Sequence, residues 1–140
     1  MGVAFMVKVL VFGSFDVVHK GHEYFFRKAR EFGDELVVVI GRNKTIERVK
    51  GCLPKFSESE RVKHVRSIDG VDKVVLGSEG EDKFKVIEDI NPDIIVLGYD
   101  QDSFSDGLKA ELVRRGLGGV KIVMLDSFKP EKYKSSLMKS

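Results

Sequence analysis

The chain has no tryptophan, one cysteine and three prolines in 140 residues, and no apolar run of 18 residues or more. Each shortage excludes something. With Cys52 alone there is no internal disulfide and no cysteine-built zinc site, which fits a reducing, cytoplasmic setting. A transmembrane helix needs about 20 consecutive apolar residues, so none is expected. The opening Met1-Gly2-Val3-Ala4-Phe5-Met6 lacks the charged leader and the length of a signal peptide, and Met6 would serve equally well as a start. An excess of one charge is also missing. Against 22 Asp+Glu stand 24 Lys+Arg, and the net +2 is too little for a nucleic-acid-binding stripe. What remains, 42% hydrophobic and 33% charged, is the composition of one soluble domain spanning 1–140 with a proper core.

Strand-like apolar runs alternate with helical patterns, which predicts an α/β fold: a doubly wound, Rossmann-like domain with a five-stranded parallel sheet and helices on both faces. The runs are Val7–Phe12, Leu36–Ile40, Lys73–Leu76, Ile94–Leu97 and Val120–Leu125, rich in Val, Ile and Leu without strict alternation, as strands covered on both sides are. Residues 21–32 place His22, Phe25, Phe26, Ala29 and Phe32 on one helical face, with Gly33 as the expected C-terminal cap. Ser57-Glu58-Ser59-Glu60 reads as a capping box opening a helix through Ser67. Further helices are expected over 81–90, ended by Asn91-Pro92, and over 104–115, with Leu108, Leu112 and Val113 inward and Gly116 closing it. Residues 41–56 read as a basic, mobile loop with a short helix at 43–49.

The chemistry gathers where the first run ends. Gly13-Ser14-Phe15-Asp16 leads into His19-Lys20-Gly21-His22, two histidines three apart at a strand-to-helix junction. In open α/β sheets that junction receives phosphorylated ligands. The spacing puts both imidazoles on the same side of the first turn, and Gly21 lets backbone approach an anion closely. The competing reading is a polar pair that only caps the helix. The strand, the glycines and the second histidine together favour phosphate binding.

Three other groups are expected at the same edge. Arg42, Lys44, Arg48 and Lys50 form a basic cluster after the second strand, suited to an acceptor phosphate or a triphosphate, or else a solvated loop. Gly98 and Asp100 follow the fourth strand, where a carboxylate can hold ribose hydroxyls. The tail Tyr133-Lys134-Ser135-Ser136-Leu137-Met138-Lys139 offers hydroxyls and a cation, unless it is a frayed end. Asp16 orients either its loop or the acceptor, or caps the helix entry. His64 and Cys52 read as bystanders.

The string G-S-F-D-V-V-H-K-G-H resembles the H-x-G-H signature of the nucleotidyltransferase superfamily, and L-G-Y-D-Q resembles a segment of the archaeal-type FAD synthases. The Ser-Ser-x-x-Lys tail resembles the superfamily's second signature. The resemblance implies transfer of a nucleoside monophosphate from a nucleoside triphosphate to a phosphorylated acceptor. ATP and FMN are the nearest pair; CTP with glycerol phosphate is the alternative, and a non-catalytic nucleotide-binding module a third reading. It implies His19 and His22 as transition-state stabilisers. Gly13, Ser14, Phe15, Lys20, Gly21, Gly98, Asp100, Tyr133, Ser135, Ser136 and Lys139 would bind the nucleotide. Asp16, Arg42, Lys44, Lys50 and Arg61 would hold the acceptor or its phosphate, with surface charge an equal reading for Arg61. Mg²⁺ would come with the substrate and need few protein ligands. Relatives are commonly dimers, so a homodimer is compatible, though no stripe specifies its interface.

Overall fold

The computed structural model describes residues 6–78, 84–98 and 102–125. They form β1 (Lys8–Gly13), α1 (Lys20–Arg30), β2 (Glu35–Ile40), α2 (Asn43–Lys50), α3 (Glu58–Arg66), β3 (Lys73–Leu76), α4 (Lys85–Ile90), β4 (Ile94–Leu97), α5 (Asp102–Arg114) and β5 (Lys121–Met124). All strand pairs are parallel and the sheet order is β3-β2-β1-β4-β5, the doubly wound arrangement expected. The order reverses between β1 and β4. β1 pairs with β2 along its whole length, from Lys8–Glu35 to Gly13–Ile40, and with β4 at Val9–Ile94 and Leu10–Ile95.

Alternate residues of each central strand feed different cores. Val9, Val11, Leu36, Val38, Ile40 and Val96 pack with Phe26 and Ala29 of α1 and Val65 of α3. Leu10, Val37, Val39, Ile95 and Leu97 pack with Val86 and Ile87 of α4 and Leu108 and Leu112 of α5. Period-two side-chain alternation against two helical layers explains why these strands read as unbroken apolar runs.

The amino edge is closed by carboxylates. Asp34, Asp93 and Asp72 each stand just before a strand or at its approach. Their side chains accept the backbone N–H groups of Val7, Lys8 and Leu36, all at 2.8 Å. Each bond satisfies an amide that the parallel ladder leaves without a partner. At the carboxyl edge lie the six-residue β1–α1 connection and the two-residue β2–α2 connection.

Several expectations are corrected. α1 ends at Arg30, and Phe32 lies beyond it, 40% exposed, so it is not part of the core face. Gly33 is not a left-handed cap. A Cβ there would sit 2.6 Å from the Val7 carbonyl oxygen and 2.6 Å from Val9, so this glycine lets the α1–β2 turn lie against β1. Val113 is 63% exposed because it follows the buried Leu112 around the helix, off the stripe that Leu108 and Leu112 define. The described part of the fourth helix begins at Lys85. Gly116 (φ +78°) closes α5 and Asn91 (φ +54°) closes α4 as expected. No helix among the described residues is long and apolar enough to cross a membrane.

Gly33→Ala is expected to lower unfolding stability by about 1–3 kcal/mol, the cost of overpacking against backbone that cannot give way. Urea titration followed by circular dichroism measures it; an unchanged midpoint would show that the turn has slack.

Candidate functional site

β1 ends in Gly13, and the chain then turns through Ser14-Phe15-Asp16 to reach α1. Phe15 adopts φ +48°, the left-handed region that side chains ordinarily avoid, at a cost of order 1 kcal/mol. The turn folds its ring inward, where it is 5% exposed, against Phe26 (centroids 5.0 Å) and edge-on to His22 (5.4 Å, 82°). The ring also lies beneath Gly13, where any Cβ would come within 2.5–2.9 Å of it. So Gly13 is dictated by Phe15. The Phe15 ring, buried against Phe26, offers no stacking surface.

His19 is the N-cap of α1. Its Nδ1 accepts the Gly21 N–H (3.0 Å), while Nδ1 of His22 accepts the His19 N–H (3.2 Å). The two histidines therefore make a capping box, and their rings lie 4.0 Å apart at 33°. The capping reading and the phosphate reading coexist, because capping uses one nitrogen of each ring. A neutral imidazole whose Nδ1 accepts carries its proton on Nε2. The cap thus sets both rings as Nε2–H donors at the positive end of a helix, the pairing of dipole and donors that suits a phosphate oxygen. The Gly21 amide, expected to face an anion, is taken up by His19. Lys20 is exposed on the first turn.

Asp16 clasps the loop after α2: its two carboxylate oxygens accept the N–H groups of Lys55 (2.6 Å) and Phe56 (2.8 Å). Of the roles expected, it orients a loop, and it does not cap a helix. The loop after α2 is accordingly tethered at Lys55 and Phe56, and the short helix expected at 43–49 is α2, closed by Gly51 at φ +84°.

The largest departure is Arg61, which is fully buried. Its Nη1 donates to the carbonyls of Ser14 (2.9 Å) and Gly41 (2.7 Å), its Nε to Phe56 (3.2 Å), and its Nη2 to Oδ1 of Asn43 (2.7 Å). Surface charge does not describe it, since the side chain is buried and four of its five N–H groups are committed to the protein. Burial lowers the guanidinium pKa, opposed by the carboxylates of Asp16 and Glu58, and the group stays charged. The sequence carried a signal. Arg61 is four before Val65 and seven before Ile68, on the apolar stripe of α3. The contacts of Asn43 were not foreseen: its side chain receives Arg61, and Glu58 accepts its N–H (2.8 Å) at the start of α2.

Of the basic cluster, Arg42 precedes α2 and its Nε donates to the Gly77 carbonyl (2.7 Å) beyond β3, while Lys44 is exposed. The side chain of Lys50 is not among those described. Gly98 follows β4 at the switch point. Asp100, Tyr133, Ser135, Ser136 and Lys139 lie outside the described residues. A cavity of about 670 Å³ lies elsewhere, between α1 and the α3–β3 turn, lined by residues such as Arg27, Arg30 and Asp69. It shares no residue with the histidine pair.

A parallel doubly wound sheet with a strand-to-helix turn at its switch point is the architecture of nucleotide-binding α/β proteins. The chain belongs to the cytidylyltransferase-like family, whose model matches residues 10–140. It is 46% identical over 123 residues to the FAD synthase of Aciduliprofundum boonei, covering 88% of this chain and 80% of that one. Identity to the FAD synthase of Thermoplasma acidophilum is 38% over 134 residues, covering 96% and 92%. Among solved structures, the lipopolysaccharide core biosynthesis protein of Thermoplasma volcanium superposes with a TM-score of 0.82 at 37% identity, covering 89% of this chain and all of that one. The pantoate-beta-alanine ligase of Francisella tularensis (TM-score 0.61, 16% identity, 89% and 60% covered) shares the fold.

Asp16→Asn leaves one oxygen for two amides. It is expected to cost about 1–2 kcal/mol and to speed hydrogen exchange at Lys55 and Phe56 selectively. Exchange unchanged at those two amides would mean that the clasp is not what holds the loop.

Proposed function

We propose that this chain is an FMN adenylyltransferase: it transfers AMP from ATP to FMN, forming FAD and pyrophosphate. A phosphate oxygen of FMN attacks the α-phosphorus of ATP, the bond from that phosphorus to the β-phosphate bridging oxygen breaks, and pyrophosphate leaves. Such transfers need in-line positioning and neutralisation of charge on the phosphoryl oxygens more than covalent help. The observation that carries the reading is the capped histidine pair, two imidazoles held side by side at a helix N-terminus beside the switch point, each with Nδ1 on a backbone amide. The names of the similar archaeal proteins support the choice of ATP and FMN over CTP and a phospho-alcohol.

In this reading Lys44 and Lys20, both exposed at the carboxyl edge, meet phosphates. Asp100 and the Ser135-Ser136-Lys139 segment complete the nucleotide site. Among the described residues no group of three or more His, Cys, Asp or Glu side chains gathers. Magnesium enters as part of the substrate, MgATP, held by phosphate oxygens and water.

Pyrophosphate release with Mg²⁺, crossing ATP and CTP against FMN, glycerol phosphate and phosphoethanolamine, tests the reading. Turnover with ATP and FMN, with FAD appearing, is expected. Turnover confined to CTP would replace both substrates while keeping the mechanism. His19→Ala and His22→Ala should each lower kcat by about 10²–10³-fold, with much smaller changes in KM. Near-normal turnover in both variants would overturn the assigned role of the pair.

A further inference from the structure

The hydrogen-bond ladder between β1 and β2 ends with the Gly41 N–H on the Gly13 carbonyl, at 2.9 Å. The carbonyls of Ser14 and Gly41, which lie past that last rung, converge on one atom, Nη1 of Arg61. A side chain from α3 thus supplies the rung that backbone cannot, since two carbonyl oxygens have no hydrogen to share. Its planar fork reaches two further acceptors, the Phe56 carbonyl and Asn43 Oδ1. Asp16, from the same turn as Ser14, holds the Phe56 N–H, so the bonds close into a ring: Ser14 to Arg61, Arg61 to Phe56, Phe56 to Asp16. Three residues after Asp16 comes His19, and beside Ser14 lies Phe15, against whose ring His22 rests. The course of this turn decides where both imidazoles sit.

We propose that Arg61 is a positioning residue for the transfer reaction. It acts on His19 and His22 through the Gly13–Asp16 turn and touches no substrate. The kinetic half of this rests on the reaction proposed above; the structural half does not. Lysine at 61 would keep the charge but has one nitrogen and no fork, so it cannot span four acceptors. The turn is then free to leave the geometry that seats Nδ1 of each histidine on its amide.

The test is Arg61→Lys, with Asn43→Ala beside it, which deletes one acceptor and leaves the guanidinium in place. Imidazole ¹⁵N shifts of the three histidines report tautomers without substrate. The native chain should show His19 and His22 as Nε2–H. Arg61→Lys should show mixed tautomers at those two rings while His64, on α3 itself, keeps its native shifts. With ATP and FMN, kcat should fall about 100-fold, the scale of an ångström-sized misplacement, with both KM values within about twofold. Asn43→Ala should move the same readouts by less, and it decides the question if Arg61→Lys does not fold.

A rise in KM at unchanged kcat would place the guanidinium on a substrate and overturn the proposal. Folded variants with native shifts at His19 and His22 would overturn it as well, as would a change confined to His64. Should no nucleotide pair turn over, the shifts alone still decide. Mixed tautomers at His19 and His22 would uphold Arg61 as the residue that seats them, while the reaction assigned to the pair would fall separately.

Discussion

A guanidinium withdrawn from water has to find its partners inside, and Arg61 finds them in the carbonyls of Ser14, Gly41 and Phe56 and the side-chain oxygen of Asn43. These acceptors come from the ends of β1 and β2, the start of α2 and the approach to α3, four pieces of chain that must meet at the carboxyl edge. A buried charge left unpaired would cost several kcal/mol. The four segments are therefore tied to one another by the requirement that each supply an oxygen. Asp16 and Glu58, which oppose the desolvation of the guanidinium, bind backbone amides of the same segments.

The two ends of the sheet use polar groups differently. At the amino edge, carboxylates of Asp34, Asp72 and Asp93 satisfy stray strand amides and finish the structure. At the carboxyl edge the strained Phe15, the glycine above its ring and the paired imidazoles lock the turn from β1 into α1. Strain of this kind persists only where surrounding packing over-determines it. Phe26, His22 and the Arg61 ring of bonds do so here.

The histidines show how a local structural duty and a chemical one share a residue. Each gives Nδ1 to the helix cap, so the cap is what orients the ring, and the proposed reaction uses the opposite ring edge. A helix start capped by serine would be as regular, as the Ser57–Glu60 box of α3 demonstrates, and would offer no such donors.

The sequence by itself determined the five strands to within a residue or two, the α3 capping box, the parallel order of elements and the place of His19 and His22, because periodicity, caps and strand-to-helix junctions are local properties. It left the burial of the Phe15 ring unforeseen, Gly33 as a cap, Phe32 and Val113 as core, and Arg61 divided between substrate and solvent. Those residues depend on what lies across space: a ring folded under Gly13, the Val7 carbonyl against Gly33, the end of α1 short of Phe32, and carbonyls from three separate loops around Arg61. An arginine on an apolar stripe announces that it will be buried. Which oxygens receive it, and hence which loops it aligns, is decided only when the chain brings positions 14, 41, 43 and 56 together, since nothing in their spacing along the sequence encodes that meeting.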